Sequence, residues 1–315
     1  MVTLEMSQKL RIAYAGLLES SLVGLLFSDC VQISENNSQN GSAGVTQRLG
    51  QGLLSELECG SFDCVVVPFE DFAFYVSTRK ATELRILGCL LGGDTRVIAE
   101  VDCARTPTET RRLGAASPGC ALMRFDDLSC AQDFEFPCVS SWIPHDRLLE
   151  AVQRQSYDFL EVNSFWEAIF GLRLGVLRQT FKMQDYGVPG SRSHLLIINP
   201  QNRLVSQQAY QLLRTQILEA YEYTLSSTDK VVSRLTSQMR MASAPTELLN
   251  CNVIAASLRV LYPHIAEAHR TRLTLDWQEL KLFYRWFYGK IGHSAEQWGV
   301  VGPISLEHLV CDTWA

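Results

Sequence analysis

Short runs of β-type residues alternate with patches of helical period through the first two-thirds of this 315-residue chain, and the pattern then turns helical almost to the end. That alternation selects an α/β fold with parallel strands, because a parallel pair needs a long crossover, usually a helix. Leu10 to Ala15 (LRIAYA), Val31 to Ser34 and Phe62 to Val67 read as strands, with helical patches at Ser20 to Phe27 and Gln47 to Leu57. The third run is almost wholly apolar, as a strand buried on both faces should be. Glu83 to Leu91 and Arg96 to Val101 follow as strands around Gly92-Gly93, with little room for a helix between them. From Arg111 a second series begins, with strands at Leu113 to Ser117, Phe134 to Ser140 and Asp158 to Val162 and helices at Ala121 to Asp127, His145 to Arg154 and Phe165 to Phe170.

A further strand at Ser193 to Asn199 precedes helices at Gln207 to Leu225 and Leu280 to Ile291, the latter with Phe283, Trp286 and Phe287 on a face expected to pack on the first lobe. The length suits about two domains of roughly 150 residues. The expected division is one lobe of residues 1–98 and 200–315 and another of residues 99–199.

Composition removes several classes of function. With 28 Lys plus Arg against 34 Asp plus Glu, the net charge is -6, so no broad cationic surface is expected and nucleic acid is not an expected partner. Apolar runs fall well short of the ~20 residues that span a bilayer, so no membrane span is expected. The start, MVTLEMSQKLRIAYAGLL, carries Glu5, Lys9 and Arg11 among its apolar residues and reads as a first strand rather than a secretory leader. Ten cysteines occur without a C-x-x-C pair, and the six histidines form neither H-x-x-x-H nor H-E-x-x-H, so no metal site is expected. Thiols inside apolar runs, such as Cys64 and Cys89, fit a reducing cytoplasm. His264 and His269 have the wrong pitch for one helical face and read as surface residues. No cofactor motif is present, which leaves the cofactor unknown.

The strand RIAYAG, the loop GSAGVTQRL, the step Gly60-Ser61-Phe62-Asp63 leading into CVVVP, and an inserted α/β lobe ending in QSYDFLEVNSFWEAIF together resemble the type 2 periplasmic-binding-protein fold. The similarity is to the sulfonate/nitrate-receptor and thiamine-pyrimidine-synthase-like group in particular. In that group a G-x-x-D step opens a buried strand; it recurs here as Gln155-Ser156-Tyr157-Asp158, with Gln in place of Gly. The resemblance implies two α/β lobes with a ligand cleft between them and spans nearly the whole chain. The lysine and histidine that mark the pyrimidine synthases are missing from Asp63 to Phe74, and the cysteine of the sulfinate-lyase relatives is missing from Tyr14-Ala15-Gly16-Leu17.

Open α/β sheets bind ligands beyond the carboxyl ends of their strands, which places candidates in the loops there. Gly16 and Leu17 are expected to line the cleft, Gly44 and Thr46 to cradle an anion or merely cap their helix, and Ser117 and Gly119 to offer an anion site at a helix start. Cys120, at a helix start, is the candidate reactive thiol, against the reading that it merely caps its helix. Glu70 and Asp71 are candidates for an acid, a base or a cation anchor, or form a solvated helix start. Phe69 and Trp166 stack on a flat ligand or pack in the core. Arg96, with Arg105, clamps an anion or forms a hinge salt bridge. Asn163 and His194 are placed near the cleft. The expected partner is a small, flat or anionic ligand in the interdomain cleft, and a homodimer is left open. Two functions fit: a cytosolic enzyme of lyase or biosynthetic chemistry, preferred because an unexported receptor has no transporter to feed, or a non-catalytic solute-binding protein or sensor, such as an ABC-transporter substrate-binding component.

Overall fold

The computed structural model describes residues 10–14, 31–33, 49–79, 82–102, 111–115, 138–142, 150–151, 154, 156–186, 189–190, 194–202, 207–241, 250–291 and 306–309. Its strands are β1 Leu10–Tyr14, β2 Val31–Ile33, β3 Cys64–Val67, β4 Arg85–Leu91, β5 Arg96–Val101, β6 Arg111–Ala115, β7 Cys138–Trp142, β8 Phe159–Asn163, β9 Leu177–Lys182 and β10 His194–Ile198. The helices are α1 Leu49–Glu58, α2 Phe69–Ser77, α3 Glu167–Arg173, α4 Gln207–Ser226, α5 Thr228–Met241, α6 Cys251–Arg270 and α7 Trp277–Ile291.

The strands form two five-stranded sheets, ordered β2-β1-β3-β10-β4 and β7-β6-β8-β5-β9. Each has three neighbouring parallel strands, then one antiparallel strand, then an edge strand that runs with the parallel set. The antiparallel member is the last of its sheet's strands in the chain, β10, in the first sheet and the earliest of its sheet's strands, β5, in the second. The chain therefore leaves the first sheet between Leu91 and Arg96 and re-enters it at His194.

The first sheet is buried on both faces, and its side chains divide with the period of two that a pleated strand imposes. Ile12, Cys64, Val66, Leu196 and Ile198 face a core completed by Tyr210, Leu213 and Ile217 of α4, Val231 and Leu235 of α5, and Ile254, Leu258 and Leu261 of α6. Ala13, Val65, Val67, Leu195 and Ile197 face a second core made with Leu53, Leu54 and Leu57 of α1, Phe72 and Val76 of α2, and Phe283 and Phe287 of α7. Two-sided burial is why CVVV and HLLII carry no polar residue after their first position. The expected packing of Phe283 and Phe287 on the first lobe is observed, whereas Trp286 also touches a core of the second.

The x-x-D step has a mechanical role in both sheets. Gly60, with φ of 76°, turns the chain out of α1 through the left-handed region that glycine adopts freely. Asp63 then exchanges two bonds with the first strand: its Oδ2 accepts the Arg11 backbone N–H at 2.7 Å, and its own N–H donates to the Arg11 carbonyl at 2.9 Å. The Arg11 guanidinium closes on Asp63 Oδ1 at 3.0 Å, where Asn202 also donates at 3.0 Å. Asp158 repeats the exchange, accepting from Arg112 N at 2.7 Å and donating to Arg112 O at 2.9 Å. The glutamine at the start of the second step does not prevent it, because the pairing depends on the aspartate.

Candidate functional site at the crossing between the sheets

Register alone brings the two sheets together at their functional ends. Leu91, at the carboxyl end of β4, pairs with His194, and Arg96, at the start of β5, pairs with Asn163 at the carboxyl end of β8. The short crossing from Gly92 to Thr95 therefore joins the carboxyl ends of the parallel strands of both sheets, the edge where open α/β sheets take their ligands.

The crossing gathers buried polar side chains. Thr95, Arg96, Glu161, Asn163, Glu167 and His194 are all at most 8% exposed. Arg96 Nη1 lies 3.5 Å from Glu161 Oε1, an ion pair hidden from water on both sides. The Asn163 N–H donates to Glu167 Oε2 at 3.0 Å, so this carboxylate ties the end of β8 to the first turn of α3. The Asp94 carboxylate accepts the Arg96 N–H at 3.0 Å, and the Ser164 N–H donates to the Thr95 carbonyl at 2.8 Å. Thr95 Oγ1 is buried with no hydrogen-bond partner among the described residues. The imidazole of His194 stands edge-on to Phe165, with ring centroids 6.3 Å apart.

Four of the expected site residues, Arg96, Asn163, Trp166 and His194, thus meet around one crossing. The Arg96 side chain pairs with Glu161 of the neighbouring strand β8 within the second sheet. Trp166 packs in the core shared by α4, α5 and α6, and Phe69 is fully buried 5.5 Å from Phe283 and 6.3 Å from Tyr284, so both rings are committed to packing. Glu70 and Asp71 open α2 after β3; Glu70 is only 1% exposed, whereas Asp71 is partly exposed. Gly16, Leu17, Gly44, Thr46, Arg105, Ser117, Gly119 and Cys120 lie outside the described residues.

Thr95, Glu161, Glu167 and His264, all at the crossing, escaped the sequence reading. Thr95 carries no local mark, since its burial comes wholly from the two sheets. His264, expected at the surface, is half-buried, and its Nδ1 hydrogen-bonds the Gly92 carbonyl. Comparison of His264 with His269 on their own helix carried no information about what the helix packs against.

The groups at the crossing suit recognition of a polar molecule by hydrogen bonds and charge. Among the described residues no cluster of three His, Cys, Asp or Glu could hold a metal ion, and no helix is long and apolar enough to cross a membrane. Of four cysteines among the described residues that form no disulfide, Cys64 and Cys89 are buried and Cys59 and Cys251 exposed. Burial, and then the nearby Asp63, push the Cys64 thiol well above its ordinary pKa.

Two five-stranded sheets of matching order, joined at their carboxyl edges, make this the two-lobed periplasmic-binding-protein fold, and solved structures agree. The chain is similar to the ligand-binding component of an ABC-type import system from Staphylococcus aureus with zinc bound, at TM-score 0.64 and 12% identity over 97% of each chain. It is similar to the alkanesulfonate-binding protein SsuA from Xanthomonas axonopodis pv. citri bound to MOPS, at TM-score 0.64 and 16% identity, covering 96% of this chain and 98% of that one. A Candida albicans gene product, described as defining a new family with the generic periplasmic binding protein structural fold, gives TM-score 0.59 and 12% identity over 96% of each chain. No protein-family model matches the chain, and no curated protein matches its sequence.

Proposed function

We propose that this chain is a non-catalytic small-molecule-binding protein that holds its ligand between the two lobes, in the manner of a solute-binding protein or sensor. The observation that carries the reading is the convergence of both sets of strand ends on one crossing lined by buried polar side chains. One similar structure is named as the ligand-binding component of an ABC-type import system, two as sulfonate-binding proteins and one as an ABC transporter, which favours this reading over the cytosolic enzyme preferred from sequence. The ligand is small and flat or anionic. A cytoplasmic setting is part of the proposal, and Cys59, Cys64, Cys89 and Cys251, none of them in a disulfide, support it.

Native mass spectrometry of the purified full chain tests the reading. An exchangeable metabolite-sized mass that leaves under mild activation is the expected result. A covalent adduct, or a tightly held mass of cofactor size, would return the balance to an enzyme.

A further inference from the structure

Three separate contacts connect the C-terminal helices to both lobes. The segment that follows β8 of the second sheet sends Phe165, Trp166 and Phe170 into the core that Leu258, Leu261 and Ile265 of α6 share with Ile12 and Val66 of the first sheet. On α7, Trp286 packs against the first-sheet core around Phe283, with ring centroids 5.6 Å apart, and also against the second-sheet core of Ile98, Leu113, Phe159 and Met183. At the crossing itself, α6 grips the backbone on both sides of Gly92: the Gly92 N–H donates to the His264 carbonyl at 3.0 Å, and His264 Nδ1 bonds the Gly92 carbonyl. A Cβ at position 92 would lie 2.5 Å from Glu267 Cγ, so helix and crossing are in close contact there. Beyond Gly92 the chain belongs to the second lobe as soon as Thr95 accepts from Ser164.

We infer that α6 and α7 form a brace that holds the two lobes at one angle in the absence of ligand, with His264 as its anchor on the crossing and Trp286 as its wedge between the cores. Rotation of one lobe against the other must withdraw Phe165, Trp166 and Phe170 from one core and Trp286 from another. Packed interiors resist such withdrawal by moving between discrete arrangements rather than deforming smoothly. Gly93 and Asp94 lie between the His264 grip and the Ser164 bond, and Gly93, at φ of 80°, takes the left-handed conformation that glycine adopts freely.

Electron-spin distance measurements on the full chain, with labels on ketone-bearing residues at the exposed positions Thr180 of β9 and Gln208 of α4, test the brace without any ligand and so independently of the binding reading. The unsubstituted brace should give one narrow distance peak. Trp286→Ala and His264→Ala should each broaden it about twofold or split it, as expected when a two-state element loses its bias. Trp286→Phe, which keeps a ring, and His264→Asn, which keeps a side-chain donor, should restore the narrow peak. A broad or two-peaked distribution with the brace intact, or alanine variants as narrow as the parent, would overturn the inference. Should Trp286→Ala fail to fold, the His264 pair decides alone.

Discussion

Asp63 and Asp158 make the same backbone exchange, but their surroundings differ. Asp63 is buried and also holds the Arg11 guanidinium and Asn202, and its hydrogen bond raises the pKa of Arg11; Asp158 is half-buried and binds Arg112 through the backbone. Asp63→Asn removes the charge from a buried, charge-assisted network and is expected to cost about 1–3 kcal/mol in urea unfolding. Asp158→Asn should cost about 1 kcal/mol or less, and equal losses would mean that burial and Arg11 add nothing. Thr95 is the opposite case. Because its hydroxyl is buried without a partner among the described residues, Thr95→Val should leave stability unchanged or raise it by up to about 1 kcal/mol, read as a melting shift. A loss of more than that would reveal a bond that the hydroxyl makes. The aspartate step was legible in sequence because its geometry is local. Thr95 and His264 were not, since each owes its place to an element far away in the chain.

Among the elements, the apolar runs marked the buried strands well and their ends poorly. Phe62 was expected in β3, yet the strand starts at Cys64 because Asp63 spends its N–H and carboxylate on β1. Strand β6 begins at Arg111, two residues before the expected Leu113, and β9 escaped notice altogether. β9 is an edge strand whose middle, Arg178 to Thr180, is exposed, so LRQTFK shows no apolar run. The helices predict a pH response. Tyr75 on α2 is pushed up to about 12, mainly by burial, and burial also raises Tyr221 on α4, Tyr288 on α7 and Cys64 at the start of β3. These groups hold their protons more tightly folded than unfolded, so the stability they contribute is complete below the unfolded values, about 8.5 for a thiol and about 10 for a phenol, and is lost as pH rises from there through the folded ones. The urea midpoint should fall between about pH 8 and pH 10.5, and a flat midpoint would contradict the burial of these groups. With iodoacetamide near neutral pH, the exposed Cys59 and Cys251 should react before the buried Cys64 and Cys89; peptide mapping that found Cys64 modified first would place β3 at the surface.

For the whole molecule, the change of pattern near Arg96 and the returning strand at His194 were enough to expect two α/β lobes, and the two sheets have the matching order that this requires. The direction of the strands then decides where a ligand can be recognised. Both parallel sets end at the crossing, where Arg96 and Glu161 are paired out of water and Thr95, Asn163, Glu167 and His194 are buried around them. The sequence showed most of the strands and left open which residues would meet, because β5 and β10 are inserted antiparallel between strands that lie far from them in the chain. The account rests on ligand binding between the lobes, and a ligand bound to the folded state alone stabilises it by about 2.7 kcal/mol at a hundredfold excess over Kd. The most direct measurement is the melting temperature of the full chain across a panel of sulfonates, carboxylates, phosphates and pyrimidines: a saturable rise of a few degrees with one chemical class is expected, and a melting temperature that no class moves would contradict the account.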